Sequence, residues 1–115
     1  MCSSDLFDRI SVRPEGAGAS RSDTLEALRE LGIADLRWPG GCLASGYHWR
    51  RGVGPEDERH DDADPTFRWG LCYTWGTDEY LELCETLGIR PHITVNIGTG
   101  TPREAADWAA YCAAW

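Results

Sequence analysis

Residues 91–104, PHITVNIGTGTPRE, hold a strand, a turn and a helix start in immediate succession. Pro91 to Ile97 is a nearly continuous apolar run with β-branched residues, which suits a strand of a parallel sheet covered on both faces. Gly98-Thr99-Gly100 reads as a turn. Thr101-Pro102-Arg103-Glu104 combines an N-cap, proline at the first helical position and glutamate at the third, the spacing of a capping box. The helix that follows is expected to run through Ala105, Trp108, Ala109 and Cys112 to Trp115.

The same alternation extends upstream. Thr77 can cap a helix whose first turn holds Asp78 and Glu79, whose apolar face is Tyr80, Leu81, Cys84 and Leu87, and which Gly88 closes. Ile33 to Trp38 is a short apolar strand ended by Pro39-Gly40-Gly41. Before it, Asp23-Thr24-Leu25-Glu26 has the form of a capping box, Leu25, Leu28 and Leu31 make a stripe, and Gly32 is a stop, which predicts a helix over 23–31. Residues 1–20 read as an irregular arm. From Gly40 to Gly76 no helical period holds, and a loop of that length is functional or disordered more often than not. Its aromatics, Tyr47, Trp49, Phe67, Trp69, Tyr73 and Trp75, argue against disorder. The order helix, strand, long loop, helix, strand, short loop, helix predicts an α/β fold of right-handed βα units on a parallel sheet.

Composition narrows the function. The chain has 115 residues, and a closed (β/α)8 barrel takes about 250, so less than half a barrel fits. Eleven basic against nineteen acidic residues give a net charge of −8, which disfavours nucleic acid, whose backbone is bound by clustered Lys and Arg. All eleven basic residues are Arg, so P-loop and Schiff-base lysine chemistry are excluded. No run approaches the roughly 18 apolar residues of a membrane span, and residues 1–20 hold no signal-type apolar core. A cytoplasmic location without a membrane partner is the expectation. Cys2, Cys42, Cys72, Cys84 and Cys112 are odd in number and widely spaced, which fits reduced thiols better than a disulfide or zinc scaffold.

Ligands of parallel α/β folds bind beyond the carboxyl ends of the strands, here residues 39–76 and 98–101. Cys42 sits at the first of these mouths, with His48 as the nearest base for a nucleophilic thiol; a small packing or polar contact is the simpler role. Glu56, Asp57, Glu58, Asp61, Asp62 and Asp64 with His48 and His60 show no metal-ligand spacing and read as a solvated face. The turn at 97–103 fails G-x-G-x-x-G because Arg103 stands where glycine is required, though amides at the helix start could hold an anion. No cofactor and no metal are expected. The loop aromatics beside polar groups suit either the C–H face of a sugar or simple packing.

The run RWPGGCLASGYHWRRGVGPEDER (37–59) resembles the α-L-arabinofuranosidases of glycoside hydrolase family 51, with their R-[WY]-P-G-G-[CN] turn, Y-H-W or Y-N-W, and D-G-[IV]-G-P. The run WGTDEYLELCETLGIRPHITVNIGTGTPREAADWAAYC (75–112) is similar to the family's next helix, strand and helix, and Arg21 and Asp23 are similar to its R-x-D start. The resemblance covers residues 21–115. It implies a partial (β/α)8 TIM barrel, early βα units only, from an enzyme that hydrolyses terminal α-L-arabinofuranosyl residues of arabinan and arabinoxylan with retention. The partner implied is an arabinose-containing oligosaccharide or polysaccharide, and a homo-oligomer of the full-length parent is left open.

By the same resemblance Cys42 matches the residue that contacts the furanose, and Trp69, or else Phe67, matches a loop aromatic near the sugar. No catalytic residue is expected among these 115, because Asn96 precedes Ile97 rather than the family's Glu, and the family's early Glu has no match in 1–20. A partial arabinofuranosidase is therefore the leading expectation. Its rivals are a small stand-alone sugar-binding or interaction module and a nucleotide-binding half-domain.

Overall fold

The computed structural model describes residues 22–65, 68 and 70–115. The expected arm at 1–20 lies outside the described residues. Helix α1 (Ser22–Leu31) leads into strand β1 (Asp35–Trp38). The long segment that follows folds into three short 3-10 turns, Cys42–Gly46, Trp49–Gly52 and Glu56–Glu58. It then forms a small antiparallel ladder between β2 (Asp62–Ala63) and β3 (Gly70–Leu71). Helix α2 (Thr77–Leu87), strand β4 (Arg90–Ile93) and helix α3 (Pro102–Ala114) complete it. β1 and β4 pair in parallel, Asp35 opposite Arg90 through Trp38 opposite Ile93. The α/β alternation and the parallel pairing are as the periodicity requires; the β2–β3 ladder is additional.

The β1–β4 pair carries a side-chain clamp. Leu36 lies opposite Pro91, which has no N–H to donate. The Tyr80 hydroxyl donates to the Leu36 carbonyl at 2.5 Å and accepts the His92 amide at 2.8 Å. Tyr80 is fully buried, and burial pushes its phenol well above the ordinary range, so the donor stays protonated. α2 is thereby tied to both strands at once.

Several boundaries differ from the sequence expectation for identifiable reasons. β4 leaves the ladder after the Thr94 amide reaches the Trp38 carbonyl, because β1 ends at Pro39 and offers nothing further to pair with. The expected strand to Ile97 is thus cut short, and Ile97 is 88% exposed. Asp23 lies inside the first turn of α1 and accepts the Thr24 amide, so it does not cap the helix. Thr77 is not a cap either. Gly76 holds that position, its amide donating to Glu79 at 2.8 Å, while the Thr77 hydroxyl is buried and accepts the Trp108 indole N–H at 3.1 Å. Gly32 and Gly88 close their helices with positive φ, as expected.

The core is largely aromatic. Trp38 stacks on Tyr80 and meets Tyr47, Trp75 and Trp108 edge-on, with centroids 4.9–5.9 Å apart. Tyr47, Trp49, Leu71, Tyr73 and Trp108 form one buried cluster, and Tyr80, Leu81 and Cys84 a second, with Trp38, Ile93 and Cys112 packed against both. Tyr47, Trp49, Tyr73 and Trp75 of the long segment are therefore packed into the domain.

Arg59 fastens that segment to α2. Its side chain is 5% exposed and pairs with Glu79 at 2.9 Å, while the guanidinium also donates to the carbonyls of Gly54, Tyr73 and Thr74. A planar fork with five donors suits such a convergence of acceptors. Where the segment crosses the start of α2, a Cβ on Gly76 would lie 1.9 Å from the Gly52 carbonyl oxygen, so no larger residue fits.

Two predictions follow from these contacts. Tyr80→Phe leaves the clamp unmade and is expected to cost about 1–3 kcal/mol, read as a lower urea midpoint with an unchanged m value. Burial opposes the Glu79 charge, but hydrogen bonds from Arg59 and the Gly76 amide outweigh it and hold the carboxyl below its ordinary value of 4.5. A carboxyl depressed on folding stabilises above its unfolded pKa, and that stabilisation is lost as pH falls through the folded value. Thermal unfolding followed against pH should show stability falling below about pH 4.5, and Glu79→Gln should flatten that fall.

Candidate functional site

The carboxyl ends of β1 and β4 open onto two segments, the turn Cys42–Gly46 and residues 94–101, which lie against each other. Thr99 joins them: its amide and its hydroxyl both donate to the Ser45 carbonyl, at 3.1 and 2.8 Å. Gly98 packs so close that a Cβ there would lie 2.7 Å from the Ser45 Cβ.

Asn96 organises the second segment. It is 6% exposed. Its side-chain oxygen accepts the amides of Gly98, Thr99 and Gly100 at 2.9–3.1 Å. Its amide group donates to the Tyr47 carbonyl and to the Thr99 hydroxyl, each at 3.0 Å. The backbone amides of Gly98, Thr99 and Gly100 are thus taken up within the chain. The local signal for this arrangement is an asparagine two residues before Gly98, whose short side chain can accept amides further along its own turn.

Thr101 caps α3 as expected, accepting the Glu104 amide at 3.1 Å. The Glu104 carboxylate instead meets Nδ1 of His48 at 2.9 Å, and Nε2 of His48 lies 3.4 Å from the Thr99 hydroxyl. Nδ1 of His48 is therefore engaged by Glu104, and no contact joins the ring to Cys42, so the Cys42–His48 nucleophile considered from sequence is not assembled. Cys42 itself is exposed at the start of its turn. The acidic residues that were weighed as ligands go to separate partners: Asp61 accepts the Tyr73 amide and Asp62 pairs with Arg51. Among the described residues no three His, Cys, Asp or Glu converge on one point. Phe67 and Trp69 lie outside the described residues. Tyr73 accepts the His48 amide at 3.1 Å, and burial raises its phenol above the ordinary range.

The architecture is a parallel α/β unit with a mouth built by the loops that follow its strands, the place where such folds bind ligands. Residues 27–113 match the family described as the alpha-L-arabinofuranosidase 1 domain. The chain is 49% identical over 94 residues to the probable alpha-L-arabinofuranosidase C of Aspergillus terreus, covering 80% of this chain and 18% of that protein. It is 43% identical to the intracellular exo-alpha-L-arabinofuranosidase of Bacteroides ovatus, covering 79% and 18%. Among solved structures, the alpha-L-arabinofuranosidase of Thermotoga maritima in its arabinose complex superposes with a TM-score of 0.81 at 40% identity, covering 88% of this chain and 22% of that one. The glycoside hydrolase family 51 enzyme of Thermotoga petrophila gives the same values. The chain belongs to the α-L-arabinofuranosidases of glycoside hydrolase family 51. It spans about a fifth of the length of the relatives it matches. Among the described residues no helix is long and apolar enough to cross a membrane.

Asn96→Ala removes one acceptor for three amides and a donor to a buried carbonyl. It is expected to lower stability by about 2–3 kcal/mol, measured by urea unfolding, and to broaden or shift the amide resonances of Gly98, Thr99 and Gly100.

Proposed function

We propose that this chain supplies part of the substrate cleft of a retaining α-L-arabinofuranosidase, within a (β/α)8 barrel, and does not carry the catalytic carboxylates. The substrate is a terminal, non-reducing α-L-arabinofuranosyl residue of an arabinan or arabinoxylan oligosaccharide. The observation that carries this reading is the Cys42–Gly46 turn, held against the 94–101 segment at the carboxyl ends of two parallel strands. A furanose seated there meets the small, exposed Cys42. An aromatic ring at Trp69, or at Phe67, would cover the C–H-rich face of the sugar.

Retaining hydrolysis needs two carboxyl groups about 5–5.5 Å apart, one acting as acid and base and the other as nucleophile. Two glutamates near the loops are already committed, Glu79 to Arg59 and Glu104 to His48. The one asparagine of the sequence is followed by Ile97 rather than by glutamate. The catalytic pair of the whole enzyme is therefore assigned outside these residues. The expected outcome is that the 115-residue chain releases p-nitrophenol from p-nitrophenyl α-L-arabinofuranoside no faster than a blank. Turnover above that level would overturn the assignment.

A further inference from the structure

Glu104 stands at the third position of α3, where a glutamate ordinarily reaches back to the amide of its own cap. Here it crosses 56 residues of sequence to His48. An ionised carboxylate only accepts hydrogen bonds, so the proton on that contact is carried by His48 Nδ1. This fixes the ring orientation and packs Nε2 3.4 Å from the Thr99 hydroxyl oxygen, whose single proton goes to the Ser45 carbonyl. Thr99 in turn holds the Ser45 carbonyl with both its amide and its hydroxyl. The contact is braced on either side: the His48 amide donates to the Tyr73 hydroxyl at 3.1 Å, and the Trp49 indole donates to the Glu104 carbonyl at 3.2 Å. The His48 and Glu104 side chains are 30% and 20% exposed, sheltered enough for geometry to be held and open enough to border the mouth.

We propose that Glu104 and His48 are positioning residues, which hold the Cys42–Gly46 turn by anchoring the chain that leaves it, two residues after Gly46, in the place where the turn meets the sugar; this rests on the reading of Cys42 as a sugar contact. Neither touches the reacting atoms. Removing either frees the chain on the exit side of the turn and lets the turn open locally, while α2 and the aromatic core stay closed.

The test is amide hydrogen exchange by NMR on the 115-residue chain. The amides of Ala44, Tyr47 and Thr99 report on the turn, since they donate to Gly41, Ala44 and Ser45, and amides within α2 serve as the internal reference. His48→Ala and Glu104→Ala are expected to speed exchange at the three turn amides by about tenfold, with the α2 amides unchanged. His48→Asn, whose side-chain amide can still donate to Glu104, and Glu104→Gln, which can still accept, should restore most of the protection. Unchanged exchange at the turn would overturn the proposal. So would loss spread equally over α2, or a His48→Asn chain no better protected than His48→Ala.

A second measurement separates this proposal from the one beneath it. Methyl α-L-arabinofuranoside is titrated while the Cys42 and Leu43 amide shifts are followed. Binding that weakens in both alanine variants and returns in His48→Asn supports positioning. Equal binding by all variants overturns positioning and leaves the sugar contact standing. A wild-type chain whose Cys42 amide ignores the sugar overturns the sugar contact, and with it this use of the turn, whatever the exchange pattern.

Discussion

Four aromatic rings close around Trp38, and each arrives from a different part of the chain: Tyr47 from the turn after β1, Trp75 from the approach to α2, Tyr80 from α2 itself and Trp108 from α3. Trp38 is also the last residue of β1. One indole therefore sits where the sheet ends, the long segment begins and two helices pack. Large rings of this kind bury about 150–250 Å² each. At about 25 cal/mol per Å² that is about 4–6 kcal/mol per ring before the entropy of ordering it. A segment of more than thirty residues that lacks a long helix or strand could not hold its shape on backbone bonds alone. It holds because its rings have a fixed partner. The mouth depends on the same packing, since the Cys42–Gly46 turn leads directly into Tyr47.

The local signals were legible in sequence and the distant ones were not. The stripe of α2, the glycines that close α1 and α2, the Thr101 cap and the parallel β1–β4 pair all follow from spacing within a few residues, and all are present. Thr77 was misread because its decisive partner, Trp108, lies 31 residues away and no local rule competes with a buried indole N–H. Glu104 was misread for the same reason, His48 being 56 residues distant. The fastening role of Arg59 carried no local signal, because the carbonyls and the Glu79 carboxylate that it meets converge only when the segment folds. Strand ends shifted because a strand extends only as far as its neighbour does. For the candidate site, the rule that ligands sit beyond strand ends names the loops concerned, and the family was readable from linked motifs. The device that shapes the mouth, Asn96 with Thr99 and Ser45, was not, because Asn96 and Thr99 find Tyr47 and Ser45 49 and 54 residues away.

The two faces of the β1–β4 pair are chemically opposite. Leu36, Trp38 and Ile93 turn toward α2, α3 and the aromatic clusters. The alternate positions, Asp35, Arg37, Arg90 and His92, are exposed, with Asp35 and Arg90 paired at 2.9 Å. Alternation of this kind is forced by the pleat, so both faces were chosen by the same few residues. A sheet inside a closed barrel has its helices on one side only, and the other side meets the facing strands and the ligand. The charged face of this pair is suited to that second environment, and it is poorly suited to cover by another apolar layer.

Among the described residues one edge of β4 has no strand beside it, which extends the same reasoning. Leu81, Pro91, Ile93, Val95, Trp108, Ala109 and Cys112 line an apolar groove beside it, and Ile97 beyond it is almost fully exposed. α1 is similar, with no buried residue and Leu31 74% exposed. An unpaired strand edge flanked by apolar side chains is costly to leave in water and ready to accept another strand. In the barrel proposed above, a neighbouring βα unit would pair with that edge and fill the groove. The aromatic centre around Trp38 needs no such neighbour, because its rings all come from within these residues. The chain thus divides into a self-sufficient centre, which shapes the mouth, and edges whose chemistry anticipates more sheet.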